Sequence, residues 1–359
     1  MTYKVLRITK SLDFGGIEKV FELHARYHQN GNYELAFVAL HRGGRTAQIL
    51  SSLGYRTFEL GRPGRIPSFS ALIALIKLFK AEKPDVVHTC GAEANFHGLW
   101  AGFITGVRIR VAEEIGIPAH SIIANLVFRV TYLLADKVIA ISNAVANYLA
   151  AHEVSKDKVR VVYNPIEEKN PVQKPKLMHG QIRFCFLGRL EPIKNCEALI
   201  NLMATLVKSD SRDVVLWIIG DGGQRPALEN LVRDNGLTER VKFWGYVAEP
   251  GEVLGQCHIF LLPSWNEGFG LACVEAIQSG LIVVVSYNGG MNEFIADGIN
   301  GFLIDPSSTS DFYSKVLLAL NQSDDERQRF SASAVSTINT LFSPTRYLSA
   351  LESLYKPEA

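Results

Sequence analysis

The chain has 359 residues with 47% hydrophobic and 20% charged side chains, and its 37 Lys and Arg stand against 36 Asp and Glu for a net charge of +1. This is ordinary globular composition, which excludes a disordered tail, a collagen-like repeat and a polybasic nucleic-acid binder. At roughly 100–200 residues per domain, the length predicts two domains.

In chain order, short β-branched runs predict strands at Val5–Ile8, Leu35–Leu40, Thr57–Leu60, Val86–His88, Arg108–Ala112, Val138–Ile141 and Val159–Tyr163. The stretches between them carry apolar residues at three and four spacing, the pattern of parallel strands crossed by helices in a doubly wound sheet. Residues 166–181, with the polar segment VQKPKLMHG at 172–180, read as a linker. Strands resume at Ile182–Leu187, Val214–Ile219, Val241–Trp244, Ile259–Leu262 and Ile282–Ser286, and helices over about 309–322, 325–338 and 344–355 close the chain. The fold class expected is therefore α/β, two Rossmann-like doubly wound parallel-sheet domains facing a central cleft. Residues 1–165 form the N-terminal domain, 182–340 the C-terminal domain, and 341–359 a helix packing back on the N-terminal domain. Ligands of such sheets sit at the carboxyl ends of strands, so the loops that follow strands are the candidates for chemistry.

The near-zero charge hides an asymmetry: residues 1–170 carry 21 basic and 15 acidic side chains, net +6, and residues 171–359 carry 16 and 21, net −5. A basic front half leans toward an anionic surface or ligand. The five cysteines are odd in number, widely spaced and without a Cys-x-x-Cys pair, which argues against a disulfide framework or a zinc knuckle. The opening MTYKVLRITK lacks a leader pattern and the apolar stretches fall short of the ~18–20 residues of a spanning helix, so a cytoplasmic protein is expected.

Four loops stand out. After the first strand, Gly15 and Gly16 precede a helix, where close backbone approach and the positive end of the dipole suit phosphate; ordinary loop punctuation reads the same way. After Ile182–Leu187 come Gly188, Arg189 and Lys194, a guanidinium fork and an ammonium that could converge on a diphosphate. The turn Gly220-Asp221-Gly222-Gly223 mimics a dinucleotide fingerprint but has Arg225 at the third glycine position, which disfavours nicotinamide or flavin. Finally Glu267, Gly268, Phe269, Gly270 and Leu271 lead into a helix carrying Glu275, an anion nest with a carboxylate at each side able to meet hydroxyl groups. Glu275 sits among Ala272, Cys273, Val274, Ala276 and Ile277, and a buried carboxylate needs a partner.

Glu267 and Glu275 with seven residues between them, the Gly188-Arg189 and Lys194 group, the Gly220–Gly222 turn and the Gly15–Gly16 pair together resemble the retaining glycosyltransferases of family 4, which have the two-domain B-type fold (GT-B). The resemblance implies a nucleotide-diphosphate sugar, UDP- or GDP-linked, as donor. Arg189 and Lys194 would neutralise its diphosphate, with Gly188 and Gly222 in the surrounding turns, and Gly16 would approach the phosphate from the other domain. Glu275 would hold the ribose and Glu267 would touch the transferred sugar. The backbone of Gly268–Leu271 would support the diphosphate, and Tyr246 and Val247 would border the base. It also implies a hexose transferred with retention to a glycan or polyprenyl-lipid-linked hydroxyl, in lipopolysaccharide, O-antigen or capsule synthesis. No metal or other cofactor is expected, since no Asp-x-Asp occurs and the cations can replace a metal's charge.

The chain departs from the family in one place: where many relatives carry a His after the fifth strand, RVAEEIGIP puts Ile115. Glu113 or Glu114 would take over there, or else His88, with Glu93 and His97 nearby, would line the cleft. The helix at 68–83, with Lys77, Lys80 and Lys83 along one ridge, and the apolar stretch 118–137 fit peripheral contact with an anionic inner membrane; buried crossover helices of a Rossmann sheet read the same way. A sugar-nucleotide epimerase of the same architecture and a non-catalytic nucleotide-binding relative are the alternatives.

Overall fold

The structure is a computed structural model that describes residues 3–13, 15–28, 31–62, 65–118, 121–168, 170 and 180–356. Most of the expected linker, at 169 and 171–179, lies outside the described residues. The chain forms two compact units, residues 1–167 with 342–359, and residues 168–341.

The first unit runs β1 (Tyr3–Thr9), α1 (Gly16–Tyr27), β2 (Tyr33–Ala39), α2 (Arg45–Ser52), β3 (Arg56–Glu59), α3 (Phe69–Glu82), β4 (Val86–Cys90), α4 (Ala92–Thr105), β5 (Ile109–Glu114), α5 (Ile122–Leu133), β6 (Lys137–Ala140), α6 (Asn143–Ala151) and β7 (Val159–Val161). Its strands form one parallel sheet in the order β3-β2-β1-β4-β5-β6-β7. Val5, Leu6 and Ile8 of β1 are fully buried, as a strand covered on both faces requires. The helices α3, α5 and α6 start at Ser68, Ser121 and Ser142, whose hydroxyls each accept a hydrogen bond from the amide three residues on. α3 and α4 pack together over Leu6, Ile8, Val38 and Val87, with α5 beside α4. The other core, on Val5, Phe37 and Val111, takes in Phe21 of α1 and Leu50 of α2. Lys83, expected on the same ridge as Lys77 and Lys80, is instead the left-handed cap that ends α3, at φ 49°.

The second unit comprises β8 (Ile182–Leu187), α7 (Cys196–Ser209), β9 (Val214–Ile219), α8 (Arg225–Asp234), β10 (Val241–Gly245), α9 (Gly251–Gly255), β11 (Ile259–Leu262), α10 (Leu271–Gln278), β12 (Ile282–Ser286), β13 (Phe302–Ile304), α11 (Thr309–Leu320) and α12 (Asp324–Leu341). Its parallel sheet has the order β10-β9-β8-β11-β12-β13. The three-residue strand β13 is too short to stand out as an apolar run, and it is recruited by pairing with β12. The last helix, α13 (Pro344–Tyr355), belongs to the first unit, where it packs on α1.

Candidate functional site

In the second unit the strand order reverses direction between β8 and β11, so the connections leaving their carboxyl ends diverge and open a crevice. β8 leads through Gly188-Arg189 into one 3-10 turn, Pro192–Lys194, then Asn195 at φ 53° and α7. β11 leads through Glu267 to Gly270, which caps α10 at φ 93°. A hydrogen bond from the Trp265 amide to the Ile193 carbonyl, 2.9 Å, stitches the two connections together. Across that seam Lys194 Nζ donates to Glu267 Oε2 at 2.5 Å, with only 18% and 16% of the side chains exposed. The reversal point thus holds an oriented ammonium beside an oriented carboxylate.

Glycine backbones set the neighbouring walls. Gly220 lies at φ 134°, and a Cβ there would stand 1.9 Å from the Gly188 carbonyl oxygen, so only glycine lets the turn after β9 press on the turn after β8. A Cβ on Gly222 would stand 2.5 Å from the carbonyl oxygen of Leu190, whose amide donates to Asp221 O at 2.9 Å. The Gly220 amide in turn donates to Gly245 O, 2.8 Å, at the start of the segment carrying exposed Tyr246 and half-buried Val247. Arg225, in the third glycine position, pairs with Asp221 at 3.0 Å and Glu229 at 2.8 Å. Gly289, at φ 103°, does for Glu267 what Gly220 does for Gly188: its would-be Cβ falls 1.9 Å from the Glu267 carbonyl oxygen, and the following amide donates to that oxygen. The sequence offered only its Gly-Gly doublet as a signal.

The convergence expected of Arg189 and Lys194 on one anion is not the arrangement found. Arg189 is 76% exposed and pairs with Glu191 at 2.7 Å, while Lys194 pairs with Glu267. Each cation has an acid of its own in reach. Gly268 is half-buried, and Phe269 is buried with its ring 6.2 Å from Phe294, which anchors the turn into Leu271; Glu275, one turn into α10, is half-buried rather than buried. Among the described residues no group of three His, Cys, Asp or Glu stands close enough to hold a metal ion. None of the five buried cysteines is in a disulfide, and burial pushes Cys196, two residues from Lys194, up to about 12, which leaves it un-ionised.

In the first unit the order reverses between β1 and β4. Gly15 caps α1 there and Gly16 begins it, but the helix start carries its own acid. Ser11 Oγ donates to Glu18 Oε1 at 3.2 Å, and a Cβ on Gly15 would lie 2.6 Å from Glu18 Oε2. Glu18 is buried, and desolvation holds its pKa above the ordinary value. The amide end that could receive phosphate therefore already faces a carboxyl group.

The expectation that His88 lines an open surface is corrected: it is fully buried in a polar cluster. Arg7, also fully buried, donates to Glu113 Oε2 at 2.8 Å, to His24 Nδ1 at 2.9 Å and to the Tyr347 hydroxyl at 2.8 Å. His88 Nε2 stands 2.9 Å from Glu113 Oε2, and His88 Nδ1 lies 2.6 Å from the Tyr355 hydroxyl. Burial and then Arg7 push His88 down to about 4, so the ring is neutral, its Nε2–H facing Glu113 and its Nδ1 accepting from Tyr355. Burial opposes charge on Glu113, but the guanidinium prevails and holds the carboxyl below its ordinary range. His88 is thus a buried core residue, held by Tyr355 and close to Glu113. Its tyrosine partner is 267 positions away, which no local pattern reveals. Glu93 is held by Lys10 at 2.7 Å, and His97 accepts from the Ser68 amide at 2.9 Å.

Glu113 and Glu114 end β5 and point to opposite faces of the sheet. Glu114 is 4% exposed, accepts from the Tyr132 hydroxyl at 2.5 Å and from the Ile115 amide at 3.2 Å, and lines a recess between α5 and α6 with Asn125, Phe128, Tyr148 and His152. Desolvation raises its pKa to about 7, against the pull of those hydrogen bonds. Of the two acids, Glu114 is the one with access to a recess. Ile115 packs under Gly91, its Cδ1 3.2 Å from where a Cβ would stand.

Known proteins give these features a family. Residues 14–170 match the family described as glycosyltransferase family 4, and residues 167–336 the glycosyl transferases group 1. A lipopolysaccharide 1,6-galactosyltransferase of Salmonella typhimurium is 29% identical over 188 residues, 51% of each chain. An Escherichia coli UDP-Gal:alpha-D-GlcNAc-diphosphoundecaprenol alpha-1,3-galactosyltransferase is 27% identical over 275 residues, 70% of each. The chain spans about half the length of the first curated relatives it matches. Among solved structures, Anabaena HepE in complex with UDP-glucose superposes with a TM-score of 0.82 at 22% identity, covering 98% of this chain and 99% of that one. With two adjoining family matches over residues 14–336 and a parallel doubly wound sheet in each unit, the chain belongs to the group 1 glycosyl transferases of family 4, of GT-B fold.

Proposed function

We propose that this protein transfers a hexose from a uridine-diphosphate sugar to a hydroxyl of a glycan or lipid-linked acceptor, with retention and without a metal, in the building of a surface polysaccharide. The observation that carries the reading is the Lys194–Glu267 pair at the strand reversal of the second unit, walled by turns that only glycine allows. Supporting it, the Escherichia coli relative is named for a UDP-galactose donor and a diphosphoundecaprenol-linked acceptor, and the Anabaena structure of the same fold holds UDP-glucose.

In the reaction, the acceptor oxygen bonds to the anomeric carbon as that carbon's bond to the β-phosphate oxygen breaks, and the acceptor proton passes to the departing phosphate. Negative charge grows on the diphosphate while positive charge grows on the sugar. Lys194, released from Glu267 toward the arriving phosphate, and Arg189, swinging from Glu191, meet the first, and the Glu267 carboxylate meets the second. Two cations brought to the leaving group do here what a divalent ion does in metal-dependent transferases. Glu275 reads the ribose hydroxyls and Val247 borders the base. Glu114, with its pKa near neutrality, faces the acceptor and can give or take a hydrogen bond.

A nucleotide panel tests the donor assignment. UDP at about 100 times its Kd should raise stability by about 2.7 kcal/mol, and UDP-hexose with a lipid-linked glycan should yield UDP and a lengthened glycan. Stabilisation by GDP and not UDP would replace the base. Turnover of the donor sugar without an acceptor into an isomeric nucleotide sugar would replace the reaction.

A further inference from the structure

The connections that leave the carboxyl ends of the second sheet carry aromatic side chains that the fold does not bury. Among the described residues of this unit three such rings are exposed: Tyr246 after β10 to 58%, Tyr287 after β12 to 46% and Trp265 after β11 to 45%. All three stand at the crevice end of the sheet, and Ile193, 42% exposed, joins them after β8. Single exposed apolar residues are commonplace; rings gathered at the one end of a doubly wound sheet that takes ligands are not. Tyr246 stands in the segment assigned to the base, which leaves Trp265 and Tyr287 without a role.

The backbone under both rings is fixed. The Trp265 amide donates to Ile193 O at 2.9 Å, and Asn288 Nδ2 donates to Trp265 O at 3.2 Å. The Tyr287 amide donates to Ile304 O at 3.0 Å, and Asn292 Nδ2 donates to Tyr287 O at 3.1 Å. Just beyond the rings, the bridge between Glu267 and Gly289 clamps the same two connections together. The residues immediately before them, Ser264 and Ser286, are fully buried, and neither hydroxyl has a hydrogen-bond partner among the described residues. A finished protein surface satisfies such groups, so two orphans at the foot of two exposed rings mark a place that a polar ligand and its waters complete.

We propose that Trp265 and Tyr287 form a shelf for one pyranose ring of the acceptor glycan, which lays its C–H face on the indole while its hydroxyls meet the side-chain amides of Asn288 and Asn292. A saccharide has the one apolar face and the polar edge that this composition matches; an alkyl chain has no use for the amides, and a phosphate none for the indole. The chain runs in order from Trp265 to Glu267 at the transferred sugar and on to Gly268–Leu271 at the diphosphate. Two residues span at most about 7 Å, so the shelf lies about one sugar ring from the carboxylate. The inference rests on the donor reading of the Lys194–Glu267 pair and deepens it by naming where the second substrate is gripped.

The experiment reads tryptophan emission of the full chain, with UDP present, during titration with the methyl glycosides of glucose, galactose and N-acetylglucosamine. Glycoside affinity is measured separately by saturation-transfer NMR, and UDP affinity by calorimetry. The chain has four tryptophans, so Trp265→Phe isolates the share of Trp265. At least one glycoside should shift the wild-type emission. Trp265→Phe should remove that shift and keep the glycoside's affinity, because a phenyl ring still stacks, whereas Trp265→Ala should weaken the glycoside about tenfold, the scale of a lost aromatic contact. Both variants should bind UDP as wild type does. Emission unmoved by all three glycosides, or a Trp265→Ala protein that binds them as tightly as wild type, overturns the proposal. So does loss of UDP binding in Trp265→Ala, since the ring would then belong to the donor's own site. Should the Ala variant fail to fold, wild type and Trp265→Phe still decide. A glycoside-induced shift in a protein that does not bind UDP would leave the shelf standing and remove the donor assignment, and UDP binding without the shift would do the reverse.

Discussion

Replacing Glu114 by Gln should change how stability depends on pH, by an amount the structure sets. Burial holds this carboxyl at about 7 against an ordinary 4.5. Between those values the folded protein keeps a proton that the unfolded chain has released, so stability falls as pH rises through the window, and the deficit is complete above the folded value. At about 1.4 kcal/mol per pH unit, ionising Glu114 costs the fold about 3 kcal/mol. Glutamine never ionises, and its oxygen still accepts from Tyr132. Thermal unfolding of variant and wild type in buffers of about pH 4 and about pH 8 should therefore show the variant gaining on wild type by about 3 kcal/mol across that interval, or about 6–12 °C in Tm for a unit of this size. Contributions from His88 and Glu113 are common to both proteins and cancel. If the gap between the two proteins is the same at both pH values, Glu114 does not stay protonated through burial and its role as a neutral donor fails.

The other predictions concern the second unit. Lys194→Ala should lower kcat about 10²–10³-fold, the scale of losing one preorganised electrostatic contact to a leaving group; steady-state assay with a UDP-sugar measures it, and unchanged turnover would detach Lys194 from the diphosphate. Glu275→Ala should weaken UDP binding by about tenfold, as loss of a charge-assisted hydrogen bond predicts; equal calorimetric affinity would show the ribose is read elsewhere. EDTA should leave the initial rate intact, whereas a rate that vanishes and returns with Mg²⁺ or Mn²⁺ would put a metal where Arg189 and Lys194 are assigned.

Much of the architecture was legible because the physics that forms it is local. A strand buried on both faces is a run of β-branched and apolar residues, which is why β8, β9, β11 and β12 are found where the pattern put them. β13 escaped because three residues make no pattern and its partner supplies the order. At the site, the loops were legible from glycines after strands, but the partners were not. Lys194 and Glu267 meet across 73 positions, so the sequence shows two candidate ligands and hides that each first holds the other. The choice between Glu113 and Glu114 was invisible for a different reason: which of two neighbours faces the core depends on strand register, and a shift of one residue exchanges their roles. The helices of the outer layer could be read as buried or as exposed, and the fold buries one side of each and leaves the other to solvent.

The tyrosines of α13 have a consequence for how the protein is made. Arg7, His88 and Glu113 are emitted early from the ribosome, yet the hydroxyls that complete their surroundings belong to Tyr347 and Tyr355. The intervening lobe, residues 168–341, lies in the chain between that sheet and the helix that closes its charged hollow. A stop codon just before position 344 would therefore leave that hollow uncovered and strip the lobe translated first of its Arg7–Tyr347 and His88–Tyr355 hydrogen bonds.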